Sequence, residues 1–153
     1  MDNKIKVRLR LVIIKNEKLL AYYTQENDFF FYIGGKLEYG ESIEACWKRE
    51  VKEELGENVK FSFRKILYIR DYIDPSENEH SVELFILGYI DKFEEVEGRP
   101  DSEFEGKKWP TWLEINNLPN NLYPKQLTKK LLQDYKKGFP NTGEYIGRMD
   151  RDK

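Results

Sequence analysis

Cysteine and histidine are almost missing from this 153-residue chain, which has one Cys at position 46 and one His at position 80. A single thiol excludes an intrachain disulfide and a thiolate metal cluster, and one imidazole beside it excludes most zinc sites. No stretch approaches the roughly 18 consecutive apolar residues that a membrane span requires. The N-terminus, where charge alternates with aliphatics from Met1 to Arg10, lacks the apolar core of a signal peptide. Charge of one sign is not in excess either. The 26 Lys and Arg face 28 Asp and Glu for a net charge of −2, so no global basic field points to nucleic acid as a bulk partner. These absences lead to the expectation of a cytoplasmic protein with no membrane partner.

Aromatic residues are plentiful: 10 Tyr, 9 Phe and 3 Trp can bury enough apolar surface to offset chain entropy. The length suits one domain with one sizeable core. Ile5, Val7 and Leu9 alternate with Lys6, Arg8 and Arg10, a half-exposed strand that runs on through Leu11 to Ile14. A turn at Lys15–Lys18 returns the chain through a strand from Leu19 to Thr24, and a short aromatic strand from Phe29 to Ile33 stops at Gly34-Gly35. Ser42 to Leu55 reads as a helix, with Ser42 as N-cap and Gly56 at the stop. Strands are expected over Phe61–Ile73, Ser81–Ile90 and Lys107–Trp112, and a closing helix over Lys125–Lys137 with Leu127, Leu131 and Tyr135 on one stripe. Phe93 to Gly106 is a charged loop with six acids among fourteen residues. Mixed strands with two helices predict an α+β fold, an α/β/α sandwich with the sheet flanked by helices. One domain is expected over residues 1–138, with 139–153 as an aperiodic tail, either disordered or forming an interface in a monomer or homodimer.

Chemistry concentrates on the helix. Glu50, Glu53 and Glu54 are spaced i, i+3, i+4 and fall within an arc of about 100°. In most Glu-rich helices such a face is simply solvated. Here, however, the apolar stripe is Ile43, Trp47, Val51 and Leu55, and Glu50 and Glu54 lie beside its edge rather than opposite it. Like charges at this spacing repel unless a cation neutralises them. Three hard oxygen donors without Cys or His suit Mg²⁺ or Mn²⁺, and the glycines upstream allow a backbone carbonyl to join them. Glu41 and Arg49 are placed to form an ion pair pinning loop to helix.

The run of Gly35, five residues, Glu41, seven residues, then Arg49-Glu50-Val51-Lys52-Glu53-Glu54-Leu55-Gly56 resembles the Nudix box, of the MutT-like kind. Two positions depart from that pattern. Glu57 stands where an aliphatic residue usually closes the box, with Val59 two residues on, and Ile33 replaces the Pro often found before the glycines. The resemblance implies a Nudix fold and Mg²⁺-dependent hydrolysis of a nucleoside diphosphate linked to a moiety X. It implies Glu50 and Glu54 as metal ligands with the Gly34 carbonyl beside them, and Glu53 as a further ligand or a water-orienting base. Relatives often place a general base about six residues before a Trp, which here is Glu103, with Glu105 in reserve; both precede Trp109. Glu83, which interrupts an apolar strand, is either a third candidate or an outward-facing strand residue.

Recognition of substrate is less legible. Arg8 and Arg10 either contact phosphate or carboxylate or belong to an exposed strand face, and Lys36 after the glycines is placed to reach phosphate. Tyr23, Phe30, Tyr32 and Tyr72 are available for base stacking, although most must be core. Tyr72 lies sixteen residues beyond Gly56, a region where some dinucleoside polyphosphate hydrolases of the family carry a Tyr. No Pro stands where ADP-ribose hydrolases of the family have one. A nucleoside triphosphate or small NDP-X is the leading substrate, followed by a dinucleoside polyphosphate or nucleotide sugar. A non-catalytic nucleotide sensor is disfavoured by the three intact Glu.

Overall fold

The computed structural model describes residues 3–96 and 107–149. Seven strands form one mixed sheet: β1 Lys6–Lys15, β2 Lys18–Thr24, β3 Phe29–Lys36, β4 Phe61–Asp74, β5 Glu79–Ile90, β6 Lys108–Glu114 and β7 Glu144–Arg148. Their order is β6-β2-β3-β1-β5-β4-β7, with β1 and β5 pairing in parallel at the centre. Helices α1 (Ile43–Leu55) and α2 (Leu127–Lys136) cover opposite faces. The period of two along the strands builds both layers. Leu9, Leu11 and Ile13 of β1 pack with Cys46, Val51 and Leu55 of α1, while Val12 packs with Leu127 and Leu131 of α2. The sandwich expected from the sequence is the observed architecture.

Helix α1 starts where its cap chemistry says it should. The Ser42 side chain accepts from the Ala45 N–H at 3.0 Å, satisfying one of the free donors of the first turn. Gly56 closes it, and Val59 packs against the α1-side core while Glu57 stays exposed.

Three elements differ from the expectation. Strand β3 does not stop at the glycines but runs through them to Lys36, because β1 takes over as its partner there: Gly34 faces Arg10 and Gly35 faces Leu9. Residues 144–148, given no element by their pattern, form edge strand β7, parallel to β4. Its five residues are half-buried or exposed, so no apolar alternation announces it. Finally, β4 carries a register shift between Ile66 and Tyr68. Leu67 and Tyr68 consequently both belong to the α2-side core, whereas Ile66 packs on the α1 side. This bulge turns the rest of β4 over and aims Arg70 at Glu83.

Candidate active site

Beyond Tyr32, β3 loses β2 as a partner and keeps only β1, so one edge of Gly34–Lys36 has no strand neighbour among the described residues. The acidic face of α1 closes on that edge. The Gly34 N–H donates to Glu54 Oε1 at 2.7 Å. Gly34 has φ +138°, and a Cβ there would sit 2.0 Å from the Leu9 carbonyl oxygen, so only glycine fits. At Gly35 a Cβ would meet Glu50 Oε1 at 2.5 Å. The paired glycines thus clear the ground on which two carboxylates rest.

Arg49 organises the acids from the other side. It grips Glu41 through Nε at 2.7 Å and Nη2 at 3.0 Å, reaches Glu50 Oε1 at 2.8 Å, and donates to the Lys36 carbonyl at 3.0 Å. Glu53, half exposed, stands 3.5 Å from the same guanidinium. Hydrogen bonds from Arg49 hold the Glu41 carboxyl down at about 2. Burial pushes Glu50 the other way, above the usual carboxylate range, with the Arg49 contacts opposing that rise only in part. Burial also pushes the Cys46 thiol up to about 12, so Cys46 is a neutral packing residue.

A cleft of about 680 Å³ opens over these groups. Glu50, Glu53 and Glu54 line one side. Arg8, Arg10 and Arg70, with Glu79 and Glu83, line another. Phe29, Phe31 and Tyr123 add aromatic rings to the lining, with Pro124 beside them. The size matches pockets that take nucleotide-sized ligands.

The sequence model of the NUDIX domain matches residues 7–133 of this chain. The chain belongs to the Nudix hydrolase family.

Solved structures agree on the Nudix fold. A MutT NUDIX hydrolase from Burkholderia pseudomallei matches with TM-score 0.67 at 22% identity, over 85% of this chain and 97% of that one. An ADP-ribose pyrophosphatase from Streptococcus suis matches at 0.64 and 20%, over 94% and 98%. A UDP-X diphosphatase matches at 0.67 and 19%, over 93% of this chain and 67% of its own. Divalent cations serve the family generally. No helix among the described residues is long and apolar enough to cross a membrane.

Of the Nudix site residues expected from sequence, Gly34, Glu50, Glu53, Glu54, Arg49, Arg8 and Tyr72 line the cleft, and Glu41 forms its ion pair with Arg49 beside it. Lys36 does not line the cleft; its side chain is exposed and only its carbonyl takes part. Glu103 and Glu105 lie outside the described residues. Glu83 is not an outward-facing strand residue. It is 3% exposed, takes Arg70 at 2.8 Å and Arg10 at 3.4 Å. Burial pushes its carboxyl up, but the charges of Arg10 and Arg70 outweigh that and hold it below the usual range. Arg8 and Arg10 are likewise cleft residues rather than an exposed strand face. Of the four stacking candidates, Tyr32 and Tyr72 reach the cleft, while Tyr23 and Phe30 pack on each other elsewhere.

Sequence reasoning missed Arg70, Glu79, Phe29, Phe31 and Tyr123. Arg70 carried a signal, a charge inside a β-rich run, but the bulge hid which face it takes. Phe29 and Phe31 sit two apart on one strand, yet the pattern alone does not separate core from cleft.

Proposed function

We propose that this protein is a Mg²⁺-dependent pyrophosphohydrolase cleaving a nucleoside diphosphate linked to a moiety X, with a (d)NTP or small NDP-X as substrate. The observation that carries this reading is the meeting of Glu50, Glu53 and Glu54 with a three-arginine wall in one nucleotide-sized cleft. The acidic side fits a hard divalent cation in the kind of donor it offers. Glu50 is a buried carboxylate whose charge Arg49 only partly compensates. Among the described residues, no three acidic side chains are drawn together in a ready cage. Glu50 and Glu53 turn instead to the Arg49 guanidinium, which balances part of their charge.

Glu50 and Glu54 would hold the ion, with the Gly34 carbonyl beside them and Mn²⁺ as an alternative to Mg²⁺. Bound metal would supply neutralisation of phosphate charge and activation of the attacking water. Glu53, at the rim, is placed to share in holding the ion or to orient water and take its proton. Glu103, with Glu105 in reserve, stays the proposed base from the loop. Glu83 suits that task poorly, since its guanidinium partners weaken it as a proton acceptor. Tyr72 and Arg8 would contact substrate.

The names of the structural relatives span a MutT enzyme, an ADP-ribose pyrophosphatase and a UDP-X diphosphatase, and they define the panel. The test is hydrolysis of dNTPs, ADP-ribose, nucleotide sugars and dinucleoside polyphosphates with and without Mg²⁺, beside a folded Glu53→Gln control. Mg²⁺-dependent release of a nucleoside monophosphate that collapses in the control supports the proposal. Nucleotide binding without turnover favours a sensor.

A further inference from the structure

The arginine wall has more charge than its own acids neutralise. Lys6 takes Glu79 at 2.8 Å and Arg70 takes Glu83 at 2.8 Å, both within the range of short charge-assisted bonds. Arg8 and Arg10 are left with what remains. Arg8 reaches Glu79 at 3.2 Å and Ser81 Oγ at 3.4 Å. Arg10 reaches Glu83 at 3.4 Å and the Tyr32 carbonyl at 3.4 Å, with its guanidinium 5.7 Å from the Phe31 ring centre. Each guanidinium has five donors, and these contacts engage few of them at good distance.

Both are also partly desolvated, with side chains 26% and 17% exposed. The cost of withdrawing a cation from water is only partly offset when it must share its counter-ion with a second cation. The two project from the same face of β1, two residues apart, and Arg10 stands opposite Gly34 in the ladder. Two cations that share their carboxylate partners with Lys6 and Arg70 therefore begin where the acidic edge ends.

We infer that Arg8 and Arg10 form a subsite for a second anionic group, a carboxylate or phosphate on X, so that the preferred substrate is a nucleoside diphosphate joined to an acid rather than to a neutral sugar. This rests on the proposed hydrolysis of an NDP-X. A neutral sugar offers only hydroxyls to these guanidiniums, whereas an anion accepts two parallel N–H bonds and cancels charge. The same chemistry has a second source, the diphosphate of the substrate itself, and the test separates the two.

UDP-glucose and UDP-glucuronate share every atom near the scissile bond and differ in one carboxylate. Affinities of both are measured by calorimetry with Ca²⁺, for the wild type and for Arg8→Gln/Arg10→Gln; the single variants replace the double one if its melting shows misfolding. Turnover with Mg²⁺ is followed in parallel. The wild type should prefer the glucuronate by roughly tenfold or more, as hydrogen bonds to a charged group predict. The preference should fall towards one in the variant and shrink with added salt. Equal affinities in the wild type overturn the inference. So does an unchanged ratio in a variant that weakens both ligands alike, because the arginines then serve the diphosphate. Failure of both ligands to bind overturns it too. Turnover without charge preference defeats this inference alone, whereas charge preference without turnover of any substrate defeats the hydrolase reading alone.

Discussion

The backbone of Gly35 rests against the carboxylate of Glu50, so close that a Cβ at position 35 would lie 2.5 Å from Oε1. Glu50 is 8% exposed and is held by a 2.8 Å bond from Arg49, which a shift of the carboxylate would strain. Gly35→Ala should therefore leave a folded protein with a displaced carboxylate. A misplacement on the order of 1 Å costs roughly 100-fold in rate. Turnover should fall by about that factor with little change in melting temperature; full activity in Gly35→Ala would show that Glu50 is free to move.

Arg49 joins Glu41, Glu50 and the Lys36 carbonyl through one planar fork. Lysine keeps the charge and loses the fork. In Arg49→Lys the concentration of Mg²⁺ giving half-maximal activity should rise roughly tenfold or more, the usual effect of losing a group that orients metal-binding side chains. An unchanged Mg²⁺ titration would reduce Arg49 to a surface ion pair.

Glu79 predicts a pH dependence. Burial pushes its carboxyl up, but hydrogen bonds from Lys6, Ser81 and Arg8 outweigh this and hold it at about 2, below the ordinary 4.5. Its stabilising contribution is complete above the ordinary value and is lost as pH falls from there towards 2. Urea denaturation of wild type and Glu79→Gln should differ by about 1–2 kcal/mol at pH 7, and the gap should close between pH 4.5 and 2. A gap constant across that window would mean that the side chain matters by shape and not by charge.

Tyr68 ties β4 to α2, its buried hydroxyl donating to Asp134 at 2.7 Å. Asp134 keeps Lys130 at 3.2 Å, but removing the hydroxyl leaves a mostly buried carboxylate short of a donor. Tyr68→Phe should cost about 1–3 kcal/mol. KM should not move, because the pair lies outside the cleft. Equal stability of wild type and variant in a urea titration would count against this account.

Local pattern was enough for much of the molecule. Alternation in β1, the Ser42 cap, the apolar stripe of α1 and the spacing of Glu50, Glu53 and Glu54 are relations between residues a few positions apart, and each appears in the structure as the sequence implied. The Glu41–Arg49 pair was legible for the same reason, since one loop and two helical turns separate its ends.

What escaped depends on contacts distant in sequence. Edge strand β7 has no apolar rhythm and exists because β4 offers it a free edge. Arg70 and Glu83, thirteen residues apart, meet because the Ile66–Tyr68 bulge reverses the face of β4. For Arg8 and Arg10 a phosphate contact and an exposed strand face both stayed open until β3 and β5 flanked them and the cleft took them in. The sequence by itself determined most of the elements, the family and the acidic side of the site, because these are written in short-range spacing and in the volume each residue occupies. Only the tertiary structure decided which charges lie across the cleft from that acidic side, because one added residue in a strand inverts every side chain after it.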